Sequence, residues 1–234
     1  MSLALLHVFA DRFVWLDLLP RRSWISLAGG ISIAYIFLDV LPELSHAQAE
    51  VTHSEVILLD YLENHIYLVA LVGLVAFYGL EQLALRSRLR NKNEHGRDFT
   101  RIGIFWVHIV SFALYNALLG YLLRESENHG LLACMLLFLV LALHFIVNDR
   151  GLRTHHKHLY DQWGRWILTA SIIAGWSIGQ AVMVNEVAIA TLWAFVAGGI
   201  ILNVLKEELP DHQESSFQSF VVGAGVYGAI LLWV

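Results

Sequence analysis

The stretch Trp193–Pro210, WAFVAGGIILNVLKEELP, decides how the chain is read. It closes an apolar run, 188–205, close to the ~20 residues that a helix needs to cross ~30 Å of hydrocarbon, then turns acidic and stops at a proline. Its parts occur a second time. Ala197-Gly198-Gly199-Ile200 is echoed by Ala28-Gly29-Gly30-Ile31, and Glu207-Glu208-Leu209-Pro210 by Asp39-Val40-Leu41-Pro42-Glu43. Glycine pairs let helices approach closely. Two matched segments that run in opposite directions are the mark of an inverted repeat.

Working outward, seven apolar runs are found, at 24–44, 65–85, 102–123, 131–149, 166–186, 188–205 and 217–234. Of the 234 residues, 57% are hydrophobic and 15% charged. Soluble domains run at about 45–50% apolar and 25% charged. The balance excludes a soluble enzyme, a disordered chain, a disulfide scaffold and a nucleic-acid binder. No alternating strand pattern suggests a barrel. The expected fold is all-α: a polytopic bundle of about seven transmembrane helices, with residues 24–234 as one domain in the lipid bilayer.

Residues 1–23 carry no basic leader and no small-residue cleavage site, so they are not read as a signal peptide. Asp11, Arg12 and Asp17 interrupt their apolar run. The segment reads as an interfacial amphipathic helix, as a helix docked on the bundle, or as an additional span. Cys134 is alone in an apolar run and reads as a packing residue.

The loops alternate in charge. Arg86, Arg88, Arg90, Lys92, Arg97 and Arg101 fill the loop after the second run, and Arg150, Arg153, Lys157 and Arg165 the loop after the fourth. With these loops inside, only Arg124 of the 15 Lys and Arg lies outside. The positive-inside rule then places a multi-pass protein in the cell or cytoplasmic membrane, N-terminus cytoplasmic and C-terminus outside. The outer loop 45–64 is acidic and carries His46 and His53.

Ionisable groups inside spans cost about 2.5–3.5 kcal/mol on insertion scales, so they mark functional positions. His108 and His144 sit about six and five residues from the inner ends of their runs, at similar depth. Asn116 shares the stripe of His108, and Asn148 lies one turn from His144 beside Asp149. Asp39 and Glu43 lie one turn apart at the outer end of the first run, and Glu207 closes the sixth at the inner side. Two imidazoles with carboxylates facing a bundle interior suit a divalent transition metal such as Zn²⁺. The competing reading is that each histidine bonds a neighbouring helix, that Asp149 pairs with Arg150, and that Glu81 is solvated. His155, His156 and His158 form an inner cluster that could buffer an arriving metal, against repulsion from Arg153 and Lys157. Gly73, Gly79 and Gly103 serve packing within a protomer or in a homodimer.

These pieces resemble the ZIP (zinc/iron-regulated-transporter-like) family of divalent-metal transporters. GGISIAYIFLDVLPEL is similar to that family's second span, VGLVAFYGLEQLAL to its third and WAFVAGGIILNVLKEELP to its seventh. The basic loop 86–101 falls where the family has its cytoplasmic loop. The resemblance covers most of 24–234 and implies an inverted repeat, alternating access and entry of the metal into the cytoplasm. It also implies metal ligands on the next two spans, where this chain departs from the pattern. The family's His-Asn-x-x-Asp motif falls on Ser111, Phe112, Tyr115 and Asn116, without its histidine. Its His-Glu-x-x-His/Glu-Glu motif falls on His144, Phe145, Asn148 and Asp149. Fewer carboxylates mean weaker divalent binding. The function expected is therefore cation transport rather than catalysis. One alternative is a non-transporting subunit or sensor with a degraded site. An intramembrane zinc hydrolase is disfavoured because the last run has no histidine.

Overall fold

The computed structural model describes residues 2–9, 21–52, 65–126, 131–182, 184–208 and 216–231. Among them the regular structure is helical throughout, with no strand. In chain order the helices are α1 (Ser2–Val8), α2 (Arg21–Tyr35), α3 (Leu41–Thr52), α4 (Ile66–His95), α5 (Ile102–Ser126), α6 (Leu131–His156), α7 (Arg165–Ala181), α8 (Glu186–Asn203) and α9 (Phe217–Leu231). π-helical turns cover Ile36–Val40, Tyr160–Gly164 and Val204–Glu208.

The expectation of seven spans is corrected. Four helical stretches among the described residues are long and apolar enough to cross a membrane: Ser26–Ala49, Ile66–His95, Ile102–Leu123 and Val187–Lys206. The fifth and seventh runs fall on α7 and α9, of 17 and 15 residues. At 1.5 Å per residue these reach about 26 and 23 Å, less than the hydrocarbon thickness. The fifth run is longer than its helix because apolar residues continue past the helix end: α7 stops at Ala181, and Val182 is extended. The fourth run falls on α6, of 26 residues, several of whose side chains lie outside the described set.

The first π-helical turn has a local cause. Pro42 has no N–H to give to the carbonyl four residues back, and its ring crowds that carbonyl. The helix widens just before it, and Leu41 N–H closes instead on Ile36 O. The echoing segment widens in the same place, at Val204–Glu208, directly before Leu209-Pro210.

The chain divides into two compact units, residues 1–13 with 76–182, and residues 14–75 with 183–234. In the first, α5 packs along α7 through glycines on both sides. A Cβ built on Gly120 would lie 2.3 Å from Ile172 O, and one on Gly175 would lie 1.9 Å from Ala117 O. Phe105, Ile109, Leu152, Tyr160 and Leu168 form a buried apolar cluster. The short α1 packs on α7 and α6, with Leu3 and Ala4 buried.

The second unit repeats the device. Gly30 and Gly223 bring α2 and α9 together, each backed by the other helix's carbonyls, Phe220 O and Leu27 O. Gly73 and Gly198 do the same for α4 and α8, against Phe195 O and Ala70 O. Gly79 and Gly103 meet no atom within 4 Å. In this unit α2 packs against the turn Val204–Glu208, and α3 packs against α8.

The surface is apolar along helical stripes. Leu68, Leu71, Val72 and Val75 are exposed on α4, and Ile102, Trp106, Val110 and Leu114 on α5. Stripes of this extent are unusual on a protein bathed in water.

Candidate functional site

The first unit reverses the usual distribution of polarity. Its interior holds His7, His108, Asn116, His144, Asn148, Asp149, His155 and His156, all buried. Buried polar groups need partners, and most of these bond other polar side chains.

The closest group forms where α1, α5 and α6 meet. His7 is fully buried, as is Asn116, and Asp149 is 2% exposed. His7 Nδ1 lies 2.9 and 2.8 Å from the two Asp149 carboxylate oxygens. Its Nε2 lies 3.0 Å from Asn116 Oδ1. The amide orientation of Asn116 follows from its other bond, in which Nδ2 donates to Phe112 O at 2.8 Å. Its oxygen therefore faces the histidine, and both ring nitrogens of His7 face acceptors. Phe145 covers the ring, with centroids 4.7 Å apart. It closes the group off from that side.

One turn along α6, His144 Nε2 lies 2.7 Å from the Tyr115 hydroxyl. Tyr115 adjoins Asn116 on α5, so neighbouring residues of one helix hold His144 and, through His7, Asp149. Asn148 is buried on the same helix, and its amide Nδ2 has no hydrogen-bond partner among the described residues.

His108 belongs to another chain of bonds. Its Nδ1 lies 2.9 Å from His156 Nε2, and His156 Nδ1 lies 2.6 Å from the Thr100 hydroxyl. The inner histidine cluster therefore divides. His156 turns inward to His108, His155 pairs with Glu81 at 2.6 Å, and His158 sets its ring edge-on to Phe99. Glu81 thus has a partner rather than being only solvated.

Of the residues expected to hold a cation, Asn116 and Asp149 are brought together by His7, with His144 and Asn148 on the adjoining turn. His108 and His144 are each bonded to a different neighbour. Asp39 and Glu43 lie in the second unit. There Tyr227 donates to Asp39 Oδ2 at 2.9 Å, while Glu43 is exposed on α3. The Glu207 side chain and residues 53–64 lie outside the described set. Among the described residues no group of three or more His, Cys, Asp or Glu side chains is placed to hold a metal ion.

His7 is the residue that sequence reasoning missed. Its only local signal is an imidazole set inside an apolar stretch, Leu5-Leu6-His7-Val8-Phe9. No known protein family, curated protein or solved structure matches this chain.

Proposed function

We propose that the chain is an integral membrane protein that carries a divalent cation, Zn²⁺ or a similar ion, into the cytoplasm, built on a ZIP-like inverted repeat. The observation that carries the reading is the burial of Asn116 and Asp149, from two apolar helices, in one polar group bridged by His7, with His144 and Asn148 on the adjoining turn. Such groups are expensive in a membrane and are kept where an ion or proton must be handled. The exposed apolar stripes support insertion, and the matched π-helical turns of the two echoing segments support the repeat.

In this reading Asn116, His144, Asn148 and Asp149 bind the cation. Asp39, Glu43 and the acidic loop attract it on the outer side, and His108 and Glu207 serve the inner side. A single carboxylate at the group makes binding weak, which suits an ion that must also leave. The same feature favours one other reading, a subunit or sensor that keeps the architecture without transport.

Uptake into liposomes containing the purified protein separates the two. Zn²⁺, Cd²⁺, Mn²⁺ and Fe²⁺ are offered in turn. Transport predicts entry of at least one ion above protein-free vesicles, and a loss of about ten-fold or more in Asp149→Asn, since a charged partner in such a group contributes about 1.5–3 kcal/mol. No uptake of any of the four would leave the sensor or subunit reading.

A further inference from the structure

Ten of the chain's 15 Lys and Arg, and only three of its 20 Asp and Glu, fall in residues 86–101 and 150–165, a net charge of +7 in a chain whose total is −5. The first unit joins these two segments at one end. Thr100 N–H donates to His155 O at 3.1 Å, Lys157 Nζ lies 3.7 Å from Asp98 Oδ2, and the rings of Phe99 and His158 meet edge-on. Each of the three acids is held by arginine: Glu94 by Arg90 and Arg101, Asp98 by Arg88, and Asp161 by Arg153. Arg86, Lys92 and Arg97 are left exposed, with no ion pair among the described residues.

Three tryptophans mark a level just beyond these charges. Gly175 packs against Ala117 and Gly179 against Tyr121, so α5 and α7 run parallel and in step. The same offset, carried toward the helix starts, sets Trp106 beside Gly164, and a Cβ built on Gly164 would lie 3.2 Å from Ile109 Cδ1. Trp106 therefore stands level with Trp163 and Trp166, and all three are 42–51% exposed. Trp106 also lies on the exposed apolar stripe of α5, between Ile102 and Val110. Arg165 sits over the Trp166 ring, 5.2 Å from its centroid. Indoles at one level, between an apolar surface and a cationic end, are the arrangement by which a protein meets lipid headgroups.

We propose that this end of the first unit holds anionic phospholipids of the cytoplasmic leaflet. Arg86, Lys92 and Arg97 supply the charge that the protein's own acids leave unneutralised, and the three tryptophans set the depth. The proposal rests on the reading of the chain as inserted in a membrane with this end cytoplasmic, and not on transport. Charge complementarity and the indoles together select the partner. A nucleic acid or an acidic protein would answer the charges but has no use for tryptophans continuous with an apolar stripe. An exposed Lys or Arg beside an anionic leaflet is worth about five-fold in affinity, so even one of the three should produce a measurable preference.

Electron spin resonance reads that preference. The full-length protein is placed in phosphatidylcholine vesicles with a trace of spin-labelled phosphatidylserine or spin-labelled phosphatidylcholine, and the motion-restricted fraction gives the lipid held at the protein. Phosphatidylserine should be held at least about five-fold more strongly in about 0.01 M salt, and the preference should fade toward parity in about 1 M salt, as the Debye length shrinks from about 30 to about 3 Å. Arg86→Gln, Lys92→Gln and Arg97→Gln together should bring it to within about two-fold of parity. Equal retention of the two lipids by the wild type, or a preference that salt or the triple variant leaves intact, overturns the proposal. Inorganic phosphate at matched ionic strength should leave the preference in place. Its abolition would make the surface a site for free phosphate and overturn the lipid. A single-stranded oligonucleotide retained by protein that holds both lipids alike would overturn it in favour of a nucleic-acid face. Brominated phosphatidylcholine, which quenches tryptophan on contact, keeps the failures apart. Quenching without any preference refutes the anionic surface and leaves insertion standing, whereas no quenching refutes insertion and the proposal with it. A preference for phosphatidylserine without uptake of any cation upholds the surface and refutes transport.

Discussion

Asp98 shows what a single exposed residue contributes in the basic loop. Arg88 holds it with two bonds, Nε to Oδ1 at 2.8 Å and Nη2 to Oδ2 at 2.9 Å, and Lys157 Nζ lies 3.7 Å away. The bond from Arg88, with the charges of Arg88, Lys157 and Lys92, pulls its pKa from the usual 3.8 to about 2. A carboxyl whose folded pKa is depressed stabilises the fold fully above its unfolded value and loses that contribution as pH falls through the folded one. Wild type and Asp98→Asn should thus differ by a constant melting interval above about pH 4. The interval should narrow steadily as pH falls from about 4 to 2, and an interval as wide at about pH 2 as at about pH 5 would refute the pairing. At this scale the interior polar residues were legible. Asn116, His144, Asn148 and Asp149 stand out because a polar group in an apolar run demands a reason. Their partner was not legible, because contact between His7 and Asp149 depends on how α1 folds back, and no local spacing encodes that.

The helices show where reading by pattern succeeds and where it stops. Pro42 and the Gly29-Gly30 pair are local signals, and both produced local effects, a π-helical turn and a close crossing. The end of α4 was equally local: Gly96 takes φ +67° and its N–H closes on Lys92 O. Which glycines pack against what is not local. Gly73, Gly79 and Gly103 look alike in sequence, yet only Gly73 is covered by a backbone. Gly175 and Gly179, one turn apart on α7, carry the main crossing of the first unit. Gly175→Ala should therefore destabilise by about 3 kcal/mol, because the new methyl would overlap Ala117 O and force the helices apart. Gly79→Ala should stabilise by about 0.5–1 kcal/mol, since it meets nothing and removes only backbone freedom. Thermal melts in one detergent test both, and equal effects would refute the crossing. Lys157, at φ 51°, holds a left-handed position without being glycine. Lys157→Gly should relieve about 1 kcal/mol of strain, offset in part by the lost contact with Asp98.

At the scale of the whole chain, composition alone revealed the all-α class and the apolar surface, because both are sums over many residues. Among the described residues four helical stretches are long and apolar enough to cross a membrane, fewer than the seven runs, since an apolar run does not announce where its helix ends. Orientation is the remaining expectation, and the charge of the loops makes it testable. A cysteine introduced at Gly96, on a Cys134→Ala background, should react with a membrane-impermeant maleimide only from the cytoplasmic side. Labelling from outside intact cells would invert the topology. The glycine crossings have a consequence for how such a chain can change over generations. Where two backbones touch from both sides, neither helix holds a side chain that could shrink to admit a larger neighbour. Gly30, Gly73, Gly120, Gly175, Gly198 and Gly223 therefore have no compensating partner substitution open to them, and descendants would vary freely in what the interior binds while these six positions stay fixed.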